Sequence, residues 1–226
     1  MVGGRLSRDE VDAYVAAVDW WRAILGRTEL AAVWDKPSAV ARYSVGGVAA
    51  HAAHGVLWLE QLLSDVEPVG LRTVSMGEFF GPNRVADGED AAGIEDTFAA
   101  SLRAAAEGFA RTGQGMVRAA LTTSRDQLVG LLDGVEATRA VAVIRISGAQ
   151  VPLREYLRTR VLELVVHGDD LICSVPALVA PGPPQGSLEV SLEVCLQLAQ
   201  AQVGGLAALR SFTRRERALP DALRVL

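Results

Sequence analysis

Pro152-Leu153-Arg154-Glu155-Tyr156-Leu157-Arg158-Thr159-Arg160-Val161-Leu162-Glu163-Leu164-Val165-Val166-His167-Gly168-Asp169-Asp170-Leu171 is the stretch on which the fold turns. Pro152 sits where a helix-opening proline belongs, because its missing N–H is one of the donors that a first turn leaves unpaired. The spacing predicts a helix from there to about Ile172. Glu163 and His167 lie four residues apart on it. At about 3.6 residues per turn, that separation rotates a side chain by only about 40°, so both project from one face with Cβ atoms about 6 Å apart. A carboxylate oxygen and an imidazole nitrogen so placed can converge on one ion. Glu163 stands among Leu162, Leu164, Val165 and Val166. A glutamate in so apolar a segment is costly to bury unless it is paired or metal-bound.

Upstream of this helix, Val141-Ala142-Val143-Ile144-Arg145-Ile146 is short and β-branched and reads as a strand, with Ser147-Gly148 as its turn. From about Ala91 to Leu132 the pattern is helical, with Thr112-Gly113-Gln114-Gly115 as a point of splitting or bending. Residues 67–90 carry Pro and Gly clusters and Phe79-Phe80, and read as a long loop of the kind that often rims a functional site. Ser44 caps a helix to about Val66, with Val48, Ala52, Val56, Leu59 and Leu63 as its apolar stripe. Residues 27–44 read as a connection with a helical turn around Leu30–Trp34. Ser7-x-x-Glu10 is a capping box, opening a helix through Val11, Tyr14, Val15, Val18, Trp21 and Leu25 that Gly26 can stop.

Downstream, Pro176–Gly186 reads as a linker. Ser187 caps a last helix to about Arg210, and the tail from Thr213 reads as a solvated extension. The alternation of Leu188, Val190, Leu192 and Val194 also permits a strand, but the length of the segment favours helix. The expected architecture is all-α: a four-helix bundle with a short β-hairpin and a C-terminal helical appendage. Residues 1–175 form the bundle, and residues 176–226 supply the linker, the C-terminal helix and the tail, packed on it.

The composition agrees. Half of the 226 residues are hydrophobic but only 5% are aromatic, so the core is expected to rest on Ala, Val and Leu, a mix suited to close-packed helices. The net charge of −5 and the lack of a basic face exclude nucleic acid as a partner class. Cys173 and Cys195 form no CxxC pair, which fits a reducing compartment. The first ten residues lack the apolar core of a signal peptide, and no apolar run reaches the roughly 20 residues of a membrane span. The expectation is a soluble, cytoplasmic protein without a membrane partner. The long apolar C-terminal helix is a surface on which a homodimer would form.

Three histidines are available: His51, His54 and His167. His51 is flanked by Ala49, Ala50, Ala52 and Ala53, small enough for another helix to approach closely. It can supply the third ligand to the Glu163–His167 pair, and two imidazoles with a carboxylate leave positions open for water or substrate. His54 can substitute as ligand, assist as a base behind the ligands, or face solvent. Asp170, three residues past His167, can orient a ligand from behind. Arg160, three residues before Glu163, can bind an anionic substrate or brace Glu163.

Two segments carry a family resemblance. Ser44-Val45-Gly46-Gly47-Val48-Ala49-Ala50-His51 resembles the helix-two signature of the DinB-like, mycothiol-dependent maleylpyruvate isomerase N-terminal family of actinobacteria. The stretch from Pro152 to Leu171, with Arg160-x-x-Glu163-x-x-x-His167-x-x-Asp170-Leu171 inside it, resembles that family's other signature. The ending Ala208-Leu209-Arg210-Ser211-Phe212-Thr213-Arg214-Arg215 resembles members of the wider family. The resemblance covers roughly residues 8–175 and implies a bundle binding a divalent metal, usually zinc, through His51, Glu163 and His167. It implies mycothiol as cofactor or co-substrate, and isomerisation or thiol S-transfer as the chemistry. The isomerases carry a separate C-terminal domain, where only residues 187–226 follow the linker here, so S-transfer is the closer expectation.

The function so expected is that of a metal- and thiol-dependent transferase or isomerase acting on a small electrophile. His54 would carry the proton and Arg160 would meet the substrate. The alternatives are a non-catalytic metal-binding or regulatory protein and a metal-water hydrolase. The enzyme reading expects a cavity lined by residues 67–90 and ending at the metal.

Overall fold

Ser7 opens the first helix through a reciprocal cap: its Oγ accepts from the Glu10 N–H at 3.2 Å, while the Glu10 carboxylate accepts from the Ser7 N–H at 2.9 Å. The computed structural model describes residues 4–80, 97–142 and 148–213. Helix α1 (Arg8–Ile24) is followed by the short α2 (Thr28–Ala31) and by α3 (Val45–Ser64), which Ser44 caps as predicted. Helices α5 (Thr97–Ala110) and α6 (Gln114–Leu132) divide at Gly113, whose φ of +91° is open to glycine and strained for other residues. Helix α7 (Leu153–Ser174) is the longest among the described residues.

The first turn of α3 explains the paired glycines of the first signature. A Cβ on Gly46 would lie 2.5 Å from the Trp34 ring, and one on Gly47 would overlap the Glu107 carboxylate. That carboxylate accepts from both the N–H and the hydroxyl of Ser44, each at 2.8 Å, and so joins α5 to the head of α3. At the other end of α3, one Arg139 nitrogen donates to the carbonyls of Leu62, Leu63 and Asp65, which a helix terminus otherwise leaves unpaired.

Helices α1, α3, α6 and α7 form the bundle. Glu10 meets Arg154 near the starts of the two helices, and Trp20 and Trp21 meet Gly168 and Leu164 towards their ends, so α1 and α7 run parallel. His51 meets His167 while Gly55 meets Arg160, so α3 runs against α7. Asp19 holds Arg125 while Arg22 reaches Thr122, so α6 runs against α1. The core is built of Ala, Val and Leu as expected, but Trp20, Trp21 and Trp34 are also buried in it. Each indole N–H donates to a carbonyl, of Pro181, Leu164 and Ala110 respectively, which offsets the cost of burying it.

Four expectations are corrected. The hairpin of β2 (Ala140–Ala142) and β3 (Ala149–Pro152) is part of a three-stranded sheet, because β1 (Arg72–Thr73) pairs parallel with the other edge of β3. The segment expected as loop thus covers an open strand edge, whose backbone groups would otherwise lack partners. It continues into α4 (Met76–Phe80), opened by a second capping box, Ser75 with Glu78. Pro152 ends β3 and caps α7 rather than occupying its first turn. Ser187 is no cap: α8 (Gln185–Val203) begins after Pro184, and the Ser187 hydroxyl is buried, donating to the Ala13 carbonyl at 2.7 Å. The last helix also breaks at Gly204, where φ is +81° and the chain turns by 119° into α9 (Gly205–Thr213). Helix α8 packs along α7 and α1, with Arg158 paired to Glu193 at 2.9 Å. The strand expected over Val143–Ile146, the helical start at 91–96 and the tail from Arg214 lie outside the described residues. Among the described residues, no single helix is long and apolar enough to cross a membrane.

Candidate metal centre

Helix α7 carries Glu163 and His167 on the face turned to α3, and α3 answers with His51 among alanines. The three residues converge: one ligand atom from each lies within 4.8 Å of the others. The His167 Nε2 stands 3.1 Å from Glu163 Oε2, and the His51 ring meets the His167 ring edge-on with centroids 5.1 Å apart. Tyr43 lies edge-on against the outer side of His51, at 5.7 Å. Ligand atoms around one zinc ion, with bonds of about 2.0–2.2 Å, sit somewhat closer than this. Small side-chain rotations therefore suffice, and the two imidazoles and the carboxylate fit a divalent cation.

The surroundings complete the set. The His167 Nδ1 lies 2.9 Å from Asp170 Oδ2, so the ring is clamped between two carboxylates. The Asp170 carbonyl accepts from Ser174 Oγ at 2.6 Å, and that oxygen accepts from the Ala39 N–H at 2.8 Å, tying the end of α7 to the loop before α3. Arg160 Nη2 lies 3.8 Å from Glu163 Oε1, close enough for attraction but beyond a hydrogen bond. His54 does not join the cluster. One turn along α3 from His51, its ring stacks on Phe109 of α5 with centroids 4.9 Å apart.

The charges follow from this placement. Burial, then the neighbouring His167, pushes His51 down to about 4, so it is neutral at pH 7 and its nitrogen lone pair is available. Burial also lowers His54. Burial alone would lower His167, but the hydrogen bonds with Asp170 and then Glu163 outweigh it and raise the ring to about 9. Burial alone would raise Glu163, but the His167 hydrogen bond and the Arg160 charge hold it far below the usual carboxylate range. Carboxylates only accept, so a ring flanked by two of them carries a proton on each nitrogen until a cation replaces one.

Among the described residues, clefts border the bundle at two places. One of about 240 Å³ takes walls from Ser75, Gly77, Glu78 and Phe80 and from Leu198, Ala201 and Gln202 of α8. The other, of about 440 Å³, lies on the α1–α6 seam among Asp19, Arg22, Ala23, Arg118 and Arg125. The first takes a wall from Ser75–Phe80 but does not reach His51, Glu163 or His167, so it is not the cavity ending at the metal that the enzyme reading expects.

Sequence reasoning placed all three convergent residues and Asp170. It did not single out Tyr156, whose ring lies under the Arg160 guanidinium. The signal for Tyr156 was available. Tyr156, Arg160, Glu163, His167 and Asp170 step by four, three, four and three residues, which places a polar row where a bundle helix normally turns apolar side chains.

Two imidazoles and a carboxylate brought together by facing helices define a helix-bundle protein with a candidate three-ligand metal site. Residues 14–172 match the mycothiol maleylpyruvate isomerase N-terminal domain family, and the chain belongs to that family. No curated protein and no solved structure matches the chain.

Proposed function

We propose that this protein is a divalent-metal-dependent enzyme that uses a low-molecular-weight thiol, mycothiol, to act on a small electrophile as an S-transferase or isomerase in the cytoplasm. The observation that carries the reading is the convergence of His51, Glu163 and His167 from two helices. The family supports the thiol, and the donor set suits zinc. A divalent cation held there would supply the positive charge that keeps a thiol ionised near neutral pH. The protein's own groups do the rest. Asp170 fixes the His167 ring so that Nε2 faces Glu163 and His51. His51, kept neutral by burial, needs no deprotonation to bind. His54, also held neutral at pH 7, takes the proton that the thiol gives up. Residues 1–175 carry the site as one bundle, and α8 packs on α7 and α1 beside it. The partners are the thiol and the electrophile, without nucleic acid or membrane. A second copy of the chain is supported by exposed Leu192, Leu196, Leu206, Leu209 and Phe212 on α8 and α9.

The test is metal analysis of purified protein, followed by thiol-depletion assays with mycothiol, glutathione and bacillithiol across a panel of electrophiles. The reading predicts one ion per chain, electrophile conversion that requires mycothiol, with the thiol consumed in transfer and regenerated in isomerisation, and loss of both ion and conversion in His51→Ala. Protein that holds no ion, or holds one but converts no electrophile with or without thiol, contradicts it. In the second case the non-catalytic reading replaces it. Electrophile breakdown that needs the ion but no thiol points instead to the hydrolase.

A further inference from the structure

The bundle helices stand in the cyclic order α1, α7, α3, α6, since each packs on the next and α6 packs back on α1. The α1–α6 seam is therefore diagonally opposite the α3–α7 seam that holds His51, Glu163 and His167. The two stand level, because Trp20 and Trp21, which meet Gly168 and Leu164, are chain neighbours of Asp19 and Arg22 on the seam. Helix α6 brings Arg118, Thr122 and Arg125 against them from one of its faces. Asp19 is held from both helices: Arg125 donates to it through Nε at 3.0 Å and Nη2 at 2.8 Å, and Arg22 through Nη1 at 2.7 Å. Burial alone would raise Asp19, but the hydrogen bonds from Arg125 and then Arg22 outweigh it and hold the carboxyl below its usual range. Arg22 Nε donates to Thr122 Oγ1 at 3.2 Å, and the Thr122 hydroxyl donates to the Arg118 carbonyl at 2.8 Å. Arg22 is thus fixed at two nitrogens, while its third, Nη2, has no hydrogen-bond partner among the described residues. Arg118 Nε donates to the Arg22 carbonyl at 3.4 Å, and its two terminal nitrogens likewise have none. A Cβ on Gly26 would come within 3.3 Å of Arg118 Nη2, so the glycine after α1 leaves that fork room.

The cleft of about 440 Å³ on this seam is lined by three guanidiniums and one carboxylate. Asp126 adds a second carboxylate, 3.3 Å from Arg125 Nη1, but its side chain is 64% exposed and solvent screens its charge. In a chain of net charge −5, the seam is therefore a local excess of positive charge. The donors left over are terminal nitrogens of two arginines from two helices. A carboxylate fills one guanidinium fork. A phosphoryl group has three peripheral oxygens and a charge of about −1.5 to −2 at pH 7, so it accepts from both guanidiniums at once.

We infer that Arg22 and Arg118 form a phosphate-binding site on the α1–α6 seam, across the bundle from the candidate metal centre, with Asp19 and Arg125 bracing Arg22, and that its ligand is inorganic phosphate or the phosphate of a small ester. Full-length protein is titrated calorimetrically with inorganic phosphate, glycerol phosphate and acetate, at fixed ionic strength and about pH 8, where the phosphates are dianions. Wild type, Arg118→Gln, Arg22→Gln, Arg8→Gln and His51→Ala are compared, with a thermal melt of each. Both phosphates are expected to bind roughly ten-fold or more tightly than acetate. Arg118→Gln and Arg22→Gln should each weaken phosphate binding about five-fold or more. Arg8→Gln, which removes the same charge from the exposed start of α1, should leave it unchanged, and so should His51→Ala, which disables the candidate metal centre. If Arg22→Gln does not fold, Arg118→Gln decides alone. Tighter binding of glycerol phosphate than of inorganic phosphate makes an ester the ligand, and equal or weaker binding makes it the free ion; either keeps the site. Phosphate that binds no more tightly than acetate overturns the inference. Wild-type binding by Arg118→Gln also overturns it, and leaves Arg118 as a cap on the carbonyl end of α1. Binding that is lost in His51→Ala puts the phosphate at the metal centre and overturns it as well.

Discussion

Glu163 has two neighbours of opposite consequence: His167, at 3.1 Å, would share an ion with it, and Arg160, at 3.8 Å, would make it half of a buried pair. Gln is nearly isosteric, so Glu163→Gln removes the charge without opening a cavity. As a ligand, Glu163 should lose metal affinity on this change while the fold survives, and chelator should lower the melting temperature of wild type far more than that of the variant. As an ion-pair partner, the same change would strand Arg160 and cost about 3–5 kcal/mol with or without chelator. The two imidazoles of α3 separate in the same way. His51→Ala should abolish metal binding, whereas His54→Ala, altering a ring stacked on Phe109, should leave metal content unchanged. The pH dependence of metal-depleted protein is a third expectation. His167, raised to about 9, contributes stability that is complete below its unfolded value near 6.5 and is lost as pH rises through 9. His51, lowered to about 4, works in the other direction, and its contribution is lost as pH falls from 6.5 toward 4. Thermal melts of the chelated protein should therefore peak near pH 6.5, and His167→Gln should flatten the alkaline limb. An unchanged alkaline limb in that variant would show that the carboxylate clamp is not its source.

Among the elements, the join of α3 to α5 is the most exacting, because a carboxylate and an indole occupy the space where side chains at 46 and 47 would stand. Gly47→Ala should destabilise by about 1–3 kcal/mol, the usual range for overpacking. In a Glu107→Ala background the same substitution should cost much less, since the group it strikes is gone. Urea denaturation of the double-mutant cycle measures this, and additive effects would mean that the two residues do not meet. This junction also shows what was legible in the sequence. The caps at Ser7 and Ser44 and the break at Gly113 are local signals, and they stand where the sequence puts them. Ser75-x-x-Glu78 was an equally local signal, passed over because Pro and Gly clusters around it read as loop. Ser187 misled for a different reason. A serine near a helix start is a cap only if its hydroxyl is free to turn back on the chain, and this one is taken by Ala13 across the α1–α8 contact. The parallel pairing of β1 with β3 joins residues far apart in sequence, and no local pattern specifies it.

At the scale of the whole molecule, the site depends on the order of the helices. Glu163 and His167 are adjacent by helical geometry alone, and their pairing could be read from four residues of spacing. His51 reaches them only because α3 runs against α7. Small residues at the crossings allow these approaches, as at Gly168, where any Cβ would overlap the Trp20 ring. The alanines around His51 hinted at such an approach but could not say which helix makes it. The central claim is that this packing places three side chains around one ion. Anomalous diffraction at the zinc absorption edge, from crystals of the zinc-loaded protein, tests it most directly. The account predicts one strong peak within about 2.0–2.2 Å of a His51 nitrogen, a Glu163 oxygen and His167 Nε2. A peak bonded to other residues, or no peak among these three in protein that has taken up zinc, would contradict it.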